Sequence, residues 1–575
     1  MLLAVLLSIG MSACAGIQKT EVDKIVTNAK IYTSDPEHPY AEACAIKDGK
    51  FVYVGDKAGL DAYRGETADM GGKFIMPAIL DGHVHVPFSV AFDYAPPVIW
   101  IEGDGKAECL AEIQRTIAEN PGQEQYYFSL PYTALHGEKL TKWDLNPISG
   151  DAEVIILESE GHSVWANTKA LLKHGVTDDT PDLVPGLSTY ERDENGKTTG
   201  YMIEMTAASF IAGDTERITD EQIIASLNRF FDFCRQYGVS TVLDAGSPGA
   251  DDFHERVYQI LCDLDKEGKL PITFEGCYIA YSPEQLEHAM ENLRRYRETY
   301  HTEHVRVNTL KVIADGTIGI NTAALLEPYA DKPDVYGGCL YDDFDLPALL
   351  KEMNQEGFHF HSHTVGERAV KQVLDAVEEV KNEIGDEFRI HVTCAHIEIA
   401  REEDLLRFGK LGVMADFSAW WNGGGCGTDA MADMPLKIGE ERANNKLRCK
   451  TVANGGALVG FSSDNISFED FMAWNPYLGM ELGMTRFPSD KTRLPENEIF
   501  NRPYPPADEC MTLDEMLMGY TSVNAEILDL PDKGSIAAGK DADYLVFDQD
   551  LTAADPIGFS WNEPSEVYFE GVRMK

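Results

Sequence analysis

The amino-acid sequence predicts an α/β protein built around a closed barrel of parallel strands, each followed by a helix. From residue 152 onward, short apolar runs alternate with amphipathic segments, a pattern typical of parallel sheets. The apolar runs number about eight, which favours a (β/α)₈ TIM barrel over an open doubly wound sheet. No glycine-rich phosphate or dinucleotide loop follows the first strand, so a nucleotide-binding sheet is disfavoured.

Short antiparallel strands are predicted before and after the barrel. Asp48-Gly49 joins two β-rich runs and is a strong signal for a hairpin. The β signal returns after a predicted helix at residues 513–527, in Tyr544–Phe547 and Glu566–Phe569. We therefore predict that residues 21–76 and 528–575 form one small β-sandwich from both termini.

The barrel itself is assigned to residues 77–527. An insertion at about residues 86–150 follows the first strand, and its length suggests a cap or lid. The regular alternation is then predicted to begin with a buried strand at 153–157. Later strands are expected at Val239–Asp244, 272–275, Val305–Ile313, 358–362, 390–394, 412–416 and 457–461. Helices are predicted between them at 221–237, 283–300, 347–356, 367–381 and 401–411.

The composition excludes several classes of function. The 96 acidic and 49 basic residues give a net charge of −47. Phosphate contacts require Lys and Arg, so we expect neither nucleic acid nor anionic membrane surfaces as partners. The eleven cysteines are scattered without a CxxC pair, which indicates buried free thiols and disfavours a cysteine zinc knuckle.

The first residues form an apolar run that resembles the hydrophobic part of a secretory signal peptide. We assign residues 1–20 to such a leader, although no Lys or Arg precedes Lys19. Residues 11–14 resemble a bacterial lipobox, which would make Cys14 a lipid-anchored N-terminus. The run is too short to span a bilayer. A location in the cell envelope is therefore expected, with the cytoplasm as the alternative.

Four histidines stand at the ends of predicted barrel strands. His83 and His85 follow an apolar run and, two residues apart on a strand, point to the same side. His363 and His396 end two later strands, and Asp464 follows the last one. Because barrel enzymes keep their chemistry at the carboxyl ends of the strands, these side chains should converge there. Neutral imidazole is the commonest transition-metal ligand, so the pattern indicates a metal site.

Three further features lie near these strand ends. Lys311 interrupts an apolar strand, and a buried lysine has a lowered pKa that lets it capture carbon dioxide as a carbamate. His359 and His361 share a face with His363 by alternation, and we interpret both as structural. Residues 417–425 carry two tryptophans beside a glycine run; they are interpreted either as a pocket wall or as a cap on the barrel.

Taken together, these stretches resemble the metal-dependent amidohydrolase superfamily, and within it amidohydrolase family 3, the group that includes N-substituted formamide deformylases. The matching motifs run in the family's order along nearly the whole chain, at residues 76–85, 160–167, 311–316, 363–369, 395–396, 462–464 and 534–543. The resemblance implies a distorted (β/α)₈ barrel with a terminal β-sandwich.

The resemblance also implies roles for individual residues. The metal-binding histidines of the family match His83, His85, His363 and His396. Lys311 matches a lysine that bridges two metals when carboxylated, and Asp464 matches the aspartate beside the metal. The expected cofactor is zinc, as one or two ions, with other divalent metals as alternatives.

The implied reaction is hydrolysis by a metal-activated hydroxide. Asp464 would act as general base and then acid, and His162 would contact the carbonyl or support the site. The expected substrate is a small molecule with a non-peptide carbon–nitrogen bond, in an amide, an N-substituted formamide or a cyclic amide. The alternatives are a metal-dependent esterase or lactonase on the same site and a non-catalytic envelope binding protein. A homodimer is left as an option.

Overall fold

The computed structural model describes residues 19–130, 132–158, 161–423, 434–468, 472–487 and 503–575. Residues 1–18 of the predicted leader, including Cys14, therefore lie outside the described residues, as do Glu160 and positions 424 and 425. In chain order the strands are β1 (Thr20–Thr27), β2 (Lys30–Tyr32), β3 (Tyr40–Ala41), β4 (Ala43–Lys47), β5 (Lys50–Gly55), β6 (Tyr63–Asp69), β7 (Phe74–Pro77), β8 (Ile79–Val84), β9 (Val98–Trp100), β10 (Gln125–Leu130), β11 (Glu153–Glu158), β12 (Ser163–Ala166), β13 (Thr189–Arg192), β14 (Thr198–Ile203), β15 (Val239–Asp244), β16 (Thr273–Ala280), β17 (Val305–Ile313), β18 (His359–Thr364), β19 (Val392–His396), β20 (Met414–Ser418), β21 (Val459–Ser462), β22 (Tyr544–Phe547), β23 (Glu566–Phe569) and β24 (Val572–Arg573).

Helices separate the strands of the central sheet and pack around it. Several begin and end at typical signals: the helix at Asp220–Tyr237 has a capping box at Thr219 and stops at a left-handed Gly238. The α-helices are Val86–Phe92, Lys106–Glu119, Lys142–Leu145, Thr168–Lys173, Met205–Ala212, Asp220–Tyr237, Asp251–Lys266, Pro283–Glu287, Ala289–Thr299, Leu346–Glu356, Glu367–Ile384, Glu402–Leu405, Arg407–Leu411, Glu440–Ala443, Cys449–Asn454, Pro476–Thr485, Leu513–Met518 and Asn524–Ile527.

The centre of the molecule is the predicted barrel. Eight parallel strands lie in the order β8, β15, β16, β17, β18, β19, β20 and β21, which is also their order along the chain. Their side chains are almost entirely buried, with helices on the outside. The fold predicted from the alternation of strands and helices is thereby confirmed.

The barrel closes irregularly between its first and last strands. The Asn524 amide bridges this seam, donating to the carbonyls of Leu80 at 2.7 Å and Phe461 at 2.8 Å. Just beyond the strand ends, the Asp464 backbone N–H donates to the His83 carbonyl at 2.8 Å. This hydrogen bond across the seam holds Asp464 beside His83.

Both termini build the small β unit, as predicted. One sheet has the order β5, β4, β1 and β6, and the second has the order β24, β23, β22, β7, β2 and β3. The C-terminal strand β22 pairs antiparallel with β7, which precedes the first barrel strand by a single residue. Both sheets contribute to one apolar core, which contains Phe51, Ile75 and Tyr544 among others.

A third sheet is formed by the part of the chain that connects the first and second barrel strands. Its order is β13, β14, β12, β11, β10 and β9. The insertion into the barrel therefore extends from the end of β8 to the start of β15. This is longer than the expected insertion at 86–150, because β11 pairs with β10 and β12 rather than with barrel strands. Every residue of β11 is buried, and such a uniformly apolar run does not specify which sheet it joins.

The nine described cysteines are all free, and eight of them are buried, consistent with the predicted free thiols. No helix in the described part of the chain has the length and apolar character needed to cross a membrane.

Candidate metal centre

The barrel strands bring the predicted metal ligands together at their carboxyl ends. His83 lies on β8, and His85 follows directly after it, so their rings share one side with centroids 5.2 Å apart. His396 is the last residue of β19, and its ring centroid lies 4.9 Å from that of His83. His363 on β18 lies next to it, with ring centroids 4.5 Å apart.

Asp464 lies at the centre of this group. Its Oδ1 is 3.3 Å from His85 Nε2 and 3.4 Å from His83 Nε2. Its Oδ2 is 3.7 Å from His396 Nδ1. Asp464 and His396 both adopt a left-handed backbone, with φ of 49° and 73°. Such conformations cost on the order of 1–3 kcal/mol each and cluster at functional sites.

Two ring nitrogens of this group are buried without any hydrogen-bond partner in the described chain. They are His363 Nε2 and His396 Nδ1. An unsatisfied buried polar atom costs about 1–3 kcal/mol, so both nitrogens are open to a further ligand. Burial is the largest cause that lowers the pKa values of His83, His363 and His396 well below the usual range. Neutral imidazole is the form that binds a metal.

The donor set therefore fits a divalent metal ion. Ligand atoms of His83, His396 and Asp464 all lie within 4.8 Å of one another. His85 Nδ1 donates to the Gly246 carbonyl at 2.6 Å, which orients its Nε2 toward Asp464. Imidazole nitrogen and carboxylate oxygen are ligands that zinc takes in proteins.

Lys311 extends from β17 into the same group. Its Nζ lies 2.9 Å from His83 Nε2, and the residue is 1% exposed. Burial lowers the pKa of Lys311 to about 8, opposed by the charge of Asp464. More of this amine is thus neutral near physiological pH than of an ordinary lysine, and the neutral form is the one that reacts with carbon dioxide.

His162 reaches the site from the inserted sheet. Its Nδ1 donates to Glu204 Oε2 at 2.7 Å, and its ring centroid lies 6.4 Å from that of His363. Glu204 is 2% exposed and also accepts from the Thr322 hydroxyl and, at 3.2 Å, from the Thr317 N–H. Glu204 has φ of 59° and ψ of −135°, a strained conformation for a residue with a side chain.

The tryptophan segment forms part of the site wall. The Trp421 ring stacks on His396, with centroids 5.3 Å apart and planes 17° from parallel. Trp420 donates from Nε1 to the Ser463 carbonyl at 2.6 Å, next to Asp464. Of the two interpretations left open by the sequence, this contact favours a pocket wall beside the metal ligands.

The structure thus brings all the predicted site residues to one end of the barrel, and their roles as ligands and catalysts stay predictions. Sequence reasoning missed Glu204, and also Asp416, whose Oδ2 lies 3.7 Å from His83 Nδ1. It interpreted His361 as structural, although His361 Nε2 lies 3.0 Å from His83 Nδ1. Its companion His359 lies at the opposite end of β18, against His391 and Asp529. Only the alternation along β18 signalled that His361 points into the barrel.

The chain resembles known proteins over most of its length. Residues 66–573 match the model of the amidohydrolase family. The exoenzymes regulatory protein AepA of Pectobacterium carotovorum is 28% identical over 61% of this chain and 76% of its own. The N-substituted formamide deformylase of Arthrobacter pascens is 24% identical over 96% of this chain and 98% of its own.

Solved structures show the same fold. An uncharacterized metal-dependent hydrolase from Pyrococcus horikoshii superposes with a TM-score of 0.64 at 22% identity. The superposition covers 93% of this chain and 99% of that one. The barrel and the terminal β unit therefore belong to one known architecture.

Proposed function

The chain belongs to the amidohydrolase family, and from that premise we propose that it is a metal-dependent hydrolase of a carbon–nitrogen bond other than a peptide bond. The bond would lie in an amide, an N-substituted formamide or a cyclic amide. The similarity to a relative named N-substituted formamide deformylase supports this choice of bond. The substrate is a small molecule, since the ligands lie at the mouth of a barrel.

One observation carries the proposal. The Asp464 carboxylate lies 3.3–3.4 Å from the metal-facing nitrogens of His85 and His83 and is 15% exposed, whereas His83 is fully buried. A carboxylate at the boundary between buried imidazoles and the pocket can touch both a bound ion and a substrate. A purely structural metal site would be closed by its ligands.

A bound divalent ion supplies a Lewis acid that polarises a carbonyl oxygen and lowers the pKa of water. Asp464 then serves as the general base, because its carboxylate accepts a proton from the attacking water. The same carboxyl group passes that proton to the departing nitrogen, which leaves as an amine. The nitrogen must gain this proton before it can leave as an amine. Asp464 therefore acts first as the general base and then as the general acid.

His162 and Trp421 define how a substrate meets these groups. The Glu204 carboxylate fixes the His162 ring beside His363, where it can contact the substrate carbonyl. Trp421 covers His396 with its ring face and restricts the space above it. Together they would orient the carbonyl beside the metal ligands.

The test uses matched substrates. We expect the zinc-loaded protein to hydrolyse amides and formamides faster than the protein stripped of metal by a chelator. Each amide is paired with the ester of the same acid. Turnover of the esters alone would contradict the proposal and favour the esterase alternative. Metal analysis of the same sample counts one or two ions per chain and identifies them.

We also propose that the protein is a lipoprotein of the cell envelope, anchored at Cys14. The lipobox-like residues 11–14 support this. A radiolabelled fatty acid should be incorporated into the wild type and not into Cys14→Ser. Equal labelling of the two, or recovery of both in the cytoplasm, would contradict it.

A further inference from the structure

A second buried imidazole contacts the ligand His83 from the side away from the candidate metal. His361 on β18 is 2% exposed, and its Nε2 lies 3.0 Å from His83 Nδ1. The two ring centroids are 4.9 Å apart and the planes are 68° from parallel, so the rings meet edge to face rather than stacked. The contact is therefore a directed nitrogen-to-nitrogen interaction.

The separation fits a hydrogen bond. Two imidazole nitrogens that share a tetrahedral zinc at 2.0–2.1 Å lie about 3.3 Å apart. The observed 3.0 Å between His361 Nε2 and His83 Nδ1 is shorter and matches an N–H···N hydrogen bond. The nearby Asp416 Oδ2 lies 3.7 Å from His83 Nδ1, too far to take that proton, and it accepts from the Ser462 hydroxyl at 2.7 Å instead.

The direction of the bond follows from the other side of the His83 ring. His83 Nε2 faces Asp464 Oδ1 at 3.4 Å and Lys311 Nζ at 2.9 Å, which is the side of the candidate ion. A nitrogen that binds a metal cannot carry a proton, so the proton of the neutral ring is on Nδ1. His361 Nε2 must then be the acceptor, and His361 carries its own proton on Nδ1.

We propose that His361 is a positioning residue of the metal centre, which accepts the Nδ1–H of His83 and so holds that ring in the tautomer and orientation that present Nε2 to the ion. This deepens the proposed function and rests on it. Metal-ligating histidines generally donate their other N–H to a carboxylate, carbonyl or water, and removing that partner weakens metal binding 10–100-fold. Here a neutral imidazole takes the place of the usual carboxylate.

The test measures zinc affinity, without substrate, by competition against a chromophoric chelator. We expect His361→Leu, which fills the space but accepts nothing, to bind the zinc held by His83 about 10–100-fold more weakly than the wild type. His361→Gln restores an acceptor at the end of a side chain of similar length and should recover a large part of that loss. The matched control is His359→Gln on the same strand, whose ring contacts His391 and Asp529 at the other end of the barrel. Its zinc affinity should equal that of the wild type.

Three outcomes would overturn the proposal. One is an unchanged zinc affinity in His361→Leu, with a melting temperature of the metal-free protein close to that of the wild type. Another is equal loss in His361→Leu and His361→Gln when both are folded. The third is that His361→Leu binds one ion fewer per chain, while the remaining ion is bound with unchanged affinity. In that case His83, His361 and Asp416 would form a metal site of their own. This test uses no substrate. A failure to hydrolyse amides would therefore overturn the proposed function but would leave the measured zinc affinities of the His361 variants unchanged.

Discussion

Lys311 Nζ lies 2.9 Å from His83 Nε2, so the amine that β17 sends into the barrel interior lies against the nitrogen with which the first predicted ligand would face a metal. The amine is almost completely buried, and its lowered pKa of about 8 follows mainly from that burial. A fully charged ammonium here would repel a metal ion. The relationship is therefore consistent with a lysine that changes its chemical form before the ion binds.

We expect Lys311 to be carboxylated. The neutral amine attacks carbon dioxide, the nitrogen–carbon bond forms, and the nitrogen loses its proton to solvent, which leaves a carbamate anion. A protein prepared with ¹³C-bicarbonate and zinc should show one carbamate carbon signal by NMR, and Lys311→Arg should lack it. Lys311→Arg should also bind fewer ions per chain.

The chain contains a matched control for this modification. Lys533 is also buried, but its Nζ lies 2.8 Å from Asp543 and 3.0 Å from Asp541. These carboxylates outweigh burial and raise the pKa of Lys533, so its amine stays charged and unreactive. Lys533→Arg should keep the carbamate signal. A signal that disappears with Lys533 and persists without Lys311 would contradict the assignment.

Replacement of Asp464 by Asn should separate proton transfer from binding. The amide keeps an oxygen that can contact the ion but cannot accept a proton, so kcat should fall about 10²–10⁴-fold. KM for the same amide should change little. The measurement is steady-state kinetics with the metal content of each sample determined in parallel. Full activity in a metal-replete Asp464→Asn protein would exclude this carboxyl group as the base.

The Glu204 carboxylate should act only through His162. If it orients that ring, Glu204→Gln and His162→Gln each lower kcat. The double variant should then lose no more kcat than His162→Gln alone. The coupling in such a cycle should lie within about 0.5–3 kcal/mol. Glu191→Gln is the control, because this carboxylate lies in the same inserted sheet and bonds Thr199 instead. Additive losses would show that the two residues act independently.

His304 gives a pH-dependent contribution to stability where the barrel meets the C-terminal strands. Its Nε2 lies 3.1 Å from Glu570 and its Nδ1 2.7 Å from Asp265, and these hydrogen bonds, led by that to Glu570, raise the pKa of His304 to about 9 from 6.5. The folded pKa lies above the unfolded one, so the stabilisation is complete below pH 6.5 and is lost as the pH rises through 9.

The measurement is the melting temperature of the wild type and of His304→Gln as a function of pH. The variant should melt below the wild type at about pH 6, and the difference should shrink by about pH 10. His288→Gln serves as the surface control, since its side chain is 58% exposed and 3.7 Å from Glu291. A difference that is constant with pH would contradict an ionic role for His304.

The parts of the site that the sequence predicts are those governed by the period of a strand. His83 and His85 lie on the same side of their strand because alternate residues do. Inward-facing side chains at the carboxyl ends of barrel strands all point toward the same region. His363, His396 and Asp464 follow from the same rule. For these residues the local pattern contains the geometric information, and the family resemblance adds their chemistry.

The parts that escaped prediction depend on contacts between distant segments. Glu204 reaches His162 because β12 and β14 are neighbours, which no local pattern states. The contact of His361 with His83 joins two strands that are separated in the barrel by β15, β16 and β17. The strand β11 was found at its predicted place in the chain, but its partners depend on tertiary packing.

The pairing of β22 with β7 has a consequence for how the molecule is made. Ala78, directly before the strand that carries His83, donates its N–H to the Asp543 carbonyl at 3.0 Å. On the ribosome this support is missing until Asp543 has been synthesised, so the first predicted ligand in the chain is secured only after His363, His396 and Asp464 have been made. We therefore expect the nascent protein to acquire its ion only after Asp543 has been made, and chains that stop before Asp543 to emerge without one.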